Sequence, residues 1–184
     1  MSARMMFILR WKKLWGDLMI ELVPTLDREN FIVNIQAAFK KAVVEEFGDD
    51  GKEVIPREDV EKSFAAAGAE IFDIVNDGVI VGGAVVVIRP SKRNELALFF
   101  VNVDCHGKGI GAAAWRAIEK LYPDTKVWET CTPYFEKRNL HFYINKCGFH
   151  AVEFYNPHHK DPNEPEEDFP GGDYFFRFEK FMAR

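Results

Sequence analysis

From Leu98 to Ala114 an apolar run, Leu98-Phe99-Phe100-Val101, leads through His106-Gly107-Lys108-Gly109-Ile110-Gly111 into an alanine-rich stretch. This is the order of a strand, a glycine loop and a helix N-terminus. Glycines let the main chain come close to an anion, and the free N–H groups of a first helical turn, with the positive end of its dipole, face the place where a pyrophosphate would sit. An ordinary strand-to-helix turn carries the same residues, so the glycines alone do not decide. Asn139 and Tyr143 are four apart in a segment that reads as helix, which puts both on one face, one turn from each other. With Phe135, Phe142 and Ile144 nearby, Tyr143 also reads as an ordinary packed aromatic. Glu129 and Glu95 are carboxylates that could accept a proton, or surface acids that do nothing of the kind. Cys131 raises a thiol nucleophile against the plainer reading of a small core filler. In His158-His159-Lys160-Asp161 no third and fourth ligand stand at a recognisable spacing, so no metal is expected.

The elements that must position these groups can be read from pattern. Ile20 to Val23 reads as a strand ended by Pro24, and Asp27 can cap a helix with Phe31, Ile35, Phe39, Val43 and Phe47 on its core face. Pro56 opens a second helix to Ala67. Asn76-Asp77-Gly78 is a hairpin signal between strands Ile71 to Val75 and Val79 to Ile88. Glu95 to Val103 is a fourth strand, Gly109 to Leu121 a helix, and Lys126 to Cys131 a fifth strand. Thr132 then caps and Pro133 opens a helix through Lys146, with Gly148 just past its end. Ala151 to Tyr155 and Tyr174 to Phe181 are the last strands, separated by the polar loop Asn156 to Gly172.

The segment Asn139-Leu140-His141-Phe142-Tyr143-Ile144-Asn145-Lys146-Cys147-Gly148-Phe149 resembles the second signature of the GNAT superfamily of acyl-CoA-dependent N-acyltransferases: Asn, then Tyr four residues on, then Gly-Phe. The family's first signature is Gln or Arg, two residues, Gly, any residue, then Gly or Ala. His106, Gly109 and Gly111 occupy it here, with His106 where Gln or Arg is usual. The resemblance extends from Met19 to Met182. It implies an α/β (α+β) fold, a mixed, mostly antiparallel central sheet flanked by helices, with a splay between the fourth and fifth strands. Residues 1–18 then form an N-terminal extension and residues 19–184 the acetyltransferase domain. The pantetheine arm of acetyl-CoA would lie in the splay against the backbone of Val101 and Val103. His106, Gly107, Lys108, Gly109, Ile110, Gly111 and Ala112 would surround the pyrophosphate, and Asn139, Tyr143 and Lys146 would complete the cofactor site.

The implied reaction is direct attack of a primary amine of a small molecule or peptide on the thioester. An alkyl amine with a pKa of about 10.4 is under roughly one part in a thousand neutral at pH 7, so a base or a water wire must help. Glu129 is the first candidate and Glu95 the second. Tyr143 would stabilise the departing sulfur by a hydrogen bond, because a phenol is a weaker acid than a thiol and outright proton transfer to a free thiolate is uphill. Two other readings stand beside this one. A non-catalytic acyl-CoA sensor needs the same loop. An NAD-dependent oxidoreductase is suggested by Gly109-Ile110-Gly111-Ala112-Ala113-Ala114 with Glu129 about twenty residues on, although Asp104 to Lys108 intervene between strand and first glycine.

The chain of 184 residues is long enough for one domain with its own core, and its net charge of −5 argues against a nucleic-acid partner. Asp161, Glu164, Glu166, Glu167 and Asp168 could favour a cationic acceptor. The three cysteines, odd in number and without a CxxC pair, point to a reducing cytoplasm. Met5 to Leu9 is too short for a signal-peptide core. Residues 1–18, with Trp11 and Trp15, read as a packed extension more readily than as an amphipathic membrane helix. Homodimerisation is implied by the resemblance alone.

Overall fold

A computed structural model describes residues 19–49, 51, 54–162 and 174–182. The expectations for residues 1–18, and for Glu164, Glu166, Glu167 and Asp168, lie outside the described residues.

In chain order the elements are β1 (Ile20–Pro24), α1 (Arg28–Phe47), α2 (Arg57–Ala65), β2 (Ala69–Asn76), β3 (Val79–Val87), β4 (Arg93–Val101), a 3-10 turn (Val103–Cys105), α3 (Ile110–Leu121), β5 (Val127–Pro133), α4 (Lys137–His141) running into a π-helical turn (Phe142–Cys147), β6 (His150–Tyr155) and β7 (Phe175–Phe181). The strands form one sheet in the order β1-β2-β3-β4-β5-β7-β6. Every neighbouring pair is antiparallel except β4 and β5. This is the mixed sheet flanked by helices that the sequence implied. It excludes the doubly wound parallel sheet that a dinucleotide fold needs.

Local chemistry accounts for most of the boundaries. The Asp27 carboxylate accepts from the Asn30 N–H at 3.0 Å and caps α1. Asp77 and Gly78 both have positive φ, 50° and 80°, the requirement of a tight hairpin turn whose twist matches its strands. In α1 the residues Phe31, Ile32, Ile35 and Val43 are buried, whereas Phe47 leaves the core face and stacks edge-on against Phe135 with centroids 4.9 Å apart.

The two faces of the sheet carry separate layers. α1 and α2 pack Phe31, Ile35, Val60 and Phe64 against Val85, Leu98 and Phe100. On the other face α3 and the π-helical turn pack Trp115, Ile118, Tyr143 and Cys147 against Val86, Leu96, Trp128 and Phe178.

Strand β4 changes partners along its length. Val86 pairs with Leu96 and Val85 with Leu98, so Ala97 is an extra residue without a partner on β3, a β-bulge. Pairing of β4 with β5 is confined to Arg93 with Val127, Asn94 with Trp128 and Glu95 with Glu129. Beyond that point β4 stays with β3 up to Val101, and β5 stays with β7 up to Pro133. The result is a V, closed at Glu95 and open toward Val101 and Pro133.

Close packing behind the bulge constrains β3. Phe31 and Phe100 meet edge to face at 5.0 Å, directly over Gly83. A Cβ there would stand 2.6 Å from Phe100 Cε1 and 2.9 Å from Phe31 Cδ2, and both rings are buried. Gly83→Ala should therefore destabilise the fold by about 1–3 kcal/mol through overpacking, read as a lower Tm in thermal unfolding. An unchanged Tm would mean that the two rings move aside freely.

Candidate active site

The V opens over two threonines of β5. Thr130 and Thr132 point to the α3 face and are buried. The Thr130 hydroxyl donates to the Leu96 carbonyl at 2.9 Å, a last tie between β4 and β5 just past their paired residues. Thr130 is also the hydrogen-bonding neighbour of the Tyr143 phenol, and Asn139 Nδ2 donates to Thr132 Oγ1 at 3.1 Å. Two hydroxyls two residues apart on a strand thus meet two side chains four residues apart on a helix. Asn139 and Tyr143 both stand against β5 beside the V.

The helix that carries them differs from expectation. Pro133 ends β5 instead of opening a helix, and Thr132 is a strand residue instead of a cap. The helix starts at Lys137, and after five residues widens into the π-helical turn Phe142–Cys147. Gly148, left-handed at φ 77°, closes it with its N–H on the Tyr143 carbonyl. The wider turn lets Tyr143 pack among Phe142, Phe149 and Phe178, at centroid distances of 5.3, 5.6 and 5.7 Å. Burial pushes the phenol pKa well above its ordinary value, so Tyr143 is an O–H donor at neutral pH.

On the opposite rim, β4 leads through the 3-10 turn into the glycine loop. Gly107 and Gly109 have φ of 75° and 78°, a left-handed backbone that side chains disfavour. The first N–H to find a partner within α3 is that of Ala113, on the Gly109 carbonyl at 3.0 Å. No side chain caps the helix, so the N–H groups of Ile110, Gly111 and Ala112 have no partner within it. Gly111 has a packing role as well: a Cβ there would stand 3.1 Å from Phe142 Cε2.

The loop's side chains are turned inward on the loop itself. His106 Nε2 lies 2.8 Å from the carbonyl of Val101, and Lys108 Nζ donates to the Asp104 carbonyl at 3.0 Å. Val103, expected at the strand's end, lies beyond β4 in the 3-10 turn, which follows the last bond to β3, from the Asn102 N–H to the Val81 carbonyl. Lys146 is exposed on the π-helical turn.

The two carboxylates singled out as bases sit at the closed end of the V, on the α1 and α2 face. Trp128 and Thr130 face α3, so strand alternation turns Glu129 the other way. There Glu129 Oε1 accepts from Arg93 Nη2 at 2.5 Å and Nε at 3.2 Å, with guanidinium nitrogens of Arg89 and Arg177 each 3.7 Å from the carboxylate. Glu95 accepts from Arg89. Glu179 takes Arg93 at 2.6 Å and Arg177 at 2.7 Å, and Glu153 takes Arg177 at 3.0 Å and His159 at 2.9 Å. Hydrogen bonds from His159 and Arg177 hold the Glu153 carboxyl below its usual range. These ion pairs join β4, β5, β7 and β6 on one face. Cys131 lies further along the same face of β5 and is exposed. Among the described residues no group of three or more His, Cys, Asp or Glu could hold a metal ion.

One residue that sequence reasoning passed over belongs to this region. Glu136 follows β5 by three residues and precedes α4. It is half-buried, and burial raises its pKa. No sequence pattern marks it, since the segment reads as the interior of a helix that the structure places later.

A model described as the Acetyltransferase (GNAT) family matches residues 37–149. A relative from Bacillus subtilis strain 168, the uncharacterized protein YrkN, is 51% identical over 173 residues, covering 90% of this chain and 94% of its own. Among solved structures, the PaiA N-acetyltransferase of Thermoplasma acidophilum in complex with coenzyme A superposes with a TM-score of 0.64 at 16% identity, over 91% of this chain and 100% of that one. An acetyltransferase of Bacillus subtilis in complex with CoA superposes with a TM-score of 0.59 at 17% identity, again over 91% and 100%. These two likenesses are of fold. With the family match spanning more than half of its length, and the two strands parted as the signatures implied, this chain belongs to the GNAT acetyltransferase family.

Proposed function

We propose that the protein transfers an acetyl group from acetyl-CoA to the primary amine of a small molecule or peptide, by direct attack. The observation that carries this reading is the opening of β4 from β5 above Thr130 and Thr132, with Asn139 and Tyr143 gathered on one side and an uncapped helix N-terminus on the other. Separated strands leave main-chain donors and acceptors free, which is what the amides of a pantetheine arm need. Val101 offers its carbonyl once His106 gives it up. The free N–H groups of Ile110, Gly111 and Ala112 take the pyrophosphate, with Gly107 and Gly109 letting the chain curve close to it. Lys108 and His106 add to the binding when they turn away from the loop's own carbonyls.

In the reaction the amine nitrogen forms a bond to the thioester carbonyl carbon and the carbon–sulfur bond breaks, its electron pair leaving on sulfur. Tyr143, an O–H donor at the V's closed end, stabilises that developing charge by hydrogen bonding. Asn139 fixes the helix to Thr132 and so holds Tyr143 in register. Glu129 is assigned to closing the V: its carboxylate serves Arg93, with Arg89 and Arg177 beside it, on the face of β5 turned away from Tyr143.

Tyr143→Phe should lower kcat on the order of 10²-fold, the cost of one lost donor to a developing anion, with little change in KM for acetyl-CoA. A variant with the parent's kcat would remove that role. Gly109→Val forces a β-branched residue into a left-handed backbone, at φ 78°, where the pyrophosphate would approach. Its thermal stabilisation by acetyl-CoA should be lost while its circular dichroism stays native. Retained stabilisation would move the pyrophosphate elsewhere.

A further inference from the structure

A base is still needed, because the acceptor arrives as an ammonium ion. Glu129 and Glu95 are bound to arginines at the closed end, whereas a carboxylate without such partners stands at the open end. Its two rims are continued by His106, after β4, and by Glu136, after β5. The 3-10 turn that precedes His106 and the Phe135 that precedes Glu136 both lie against α1. The last turns of α1 cross the same opening: Val43 and Phe47 pack on Phe135, Glu45 pairs with Arg138 at 3.1 Å, and Glu46 with Lys137 at 3.5 Å. Glu136 is thus enclosed by α1, by the glycine loop and by α4. Among the described residues its carboxylate has no hydrogen bond and no ion pair; the nearby Arg138, in the first turn of α4, is held by Glu45.

We propose that Glu136 is the base that takes the proton from the incoming ammonium group. The assignment rests on the acetyl-transfer reading above. One proton of the ammonium passes to the Glu136 carboxylate and on to solvent, leaving a neutral amine. The nitrogen lone pair attacks the thioester carbon, the carbon–sulfur bond breaks, and the second nitrogen proton ends on the coenzyme A sulfur. The third stays on the amide. The surroundings suit this task. Desolvation of the half-buried site makes the carboxylate readier to hold a proton, with Glu45 and Glu46 on α1 adding to it, while Arg138 and His106 oppose them.

The test is thiol release from acetyl-CoA as a function of pH, with spermine, kanamycin, lysine and a dipeptide as acceptors, for the parent chain, Glu136→Gln and Glu136→Asp. The parent's kcat/KM for the acceptor should rise with pH along a limb set by a carboxylate above its ordinary range. Glu136→Gln should lose that limb and on the order of 10²-fold in kcat, with acetyl-CoA stabilisation unchanged, and Glu136→Asp should restore part of both. A parent-like rate and profile in Glu136→Gln overturns the assignment and leaves acetyl transfer standing. Thiol release by the parent with none of the four amines overturns both.

Discussion

The unpaired Ala97 is the constraint on which the site depends. One extra residue in β4 cannot be absorbed by β3, whose own side chains are fixed by buried Phe31, Phe64 and Phe100 on one face and by Trp115 and Trp128 on the other. β4 therefore changes course at the bulge and keeps its bond to β3 at the expense of its bond to β5. Main-chain groups that would have been spent inside a continuous sheet are left out of the β4–β5 ladder along both rims, and groups released in a cleft are what a ligand with amides of its own can satisfy. Everything else in the site is arranged around that parting.

Two kinds of interaction keep the parting local. On one face, arginines and glutamates alternate across β4, β5, β7 and β6, so the closed end is held by charge as well as by ladder hydrogen bonds. On the other, the Thr130 and Thr132 hydroxyls bind β5 to Leu96, Tyr143 and Asn139. The first set is partly exposed and weakens with salt, whereas the second is buried and does not. The position of Tyr143 is thereby insulated from conditions that would loosen the outer charges.

Much of this is written in short-range signals. Asp27, the Asn76-Asp77-Gly78 turn and the left-handed glycines 107, 109 and 148 act through their own neighbours, so pattern alone reveals them, whereas Asn139 and Tyr143 stand out only through the family resemblance. The bulge does not announce itself: Leu96-Ala97-Leu98 contains neither glycine nor proline, and its irregularity arises from what Val85 and Val86 pack against. Glu129 reads as free in the sequence because its arginines come from β4 and β7, far away in the chain. Pro133 reads as a helix start because the same residue also suits the end of a strand, and only the pairing of β5 with β7 decides between them. Glu136 is hidden by that same ambiguity.

The π-helical turn sets a limit on how this segment can change. Gly148 reaches back five residues to the Tyr143 carbonyl, and the segment is anchored before the turn by Asn139 on Thr132 and after it by Phe149 in the core. Deleting one residue between those anchors would tighten the turn toward an ordinary helix and rotate the Asn139 end by about 100° relative to the Phe149 end. Substitutions at the exposed positions Ile144, Asn145 and Lys146 leave that geometry alone. Through this stretch the spacing of the chain is held more strictly than its composition.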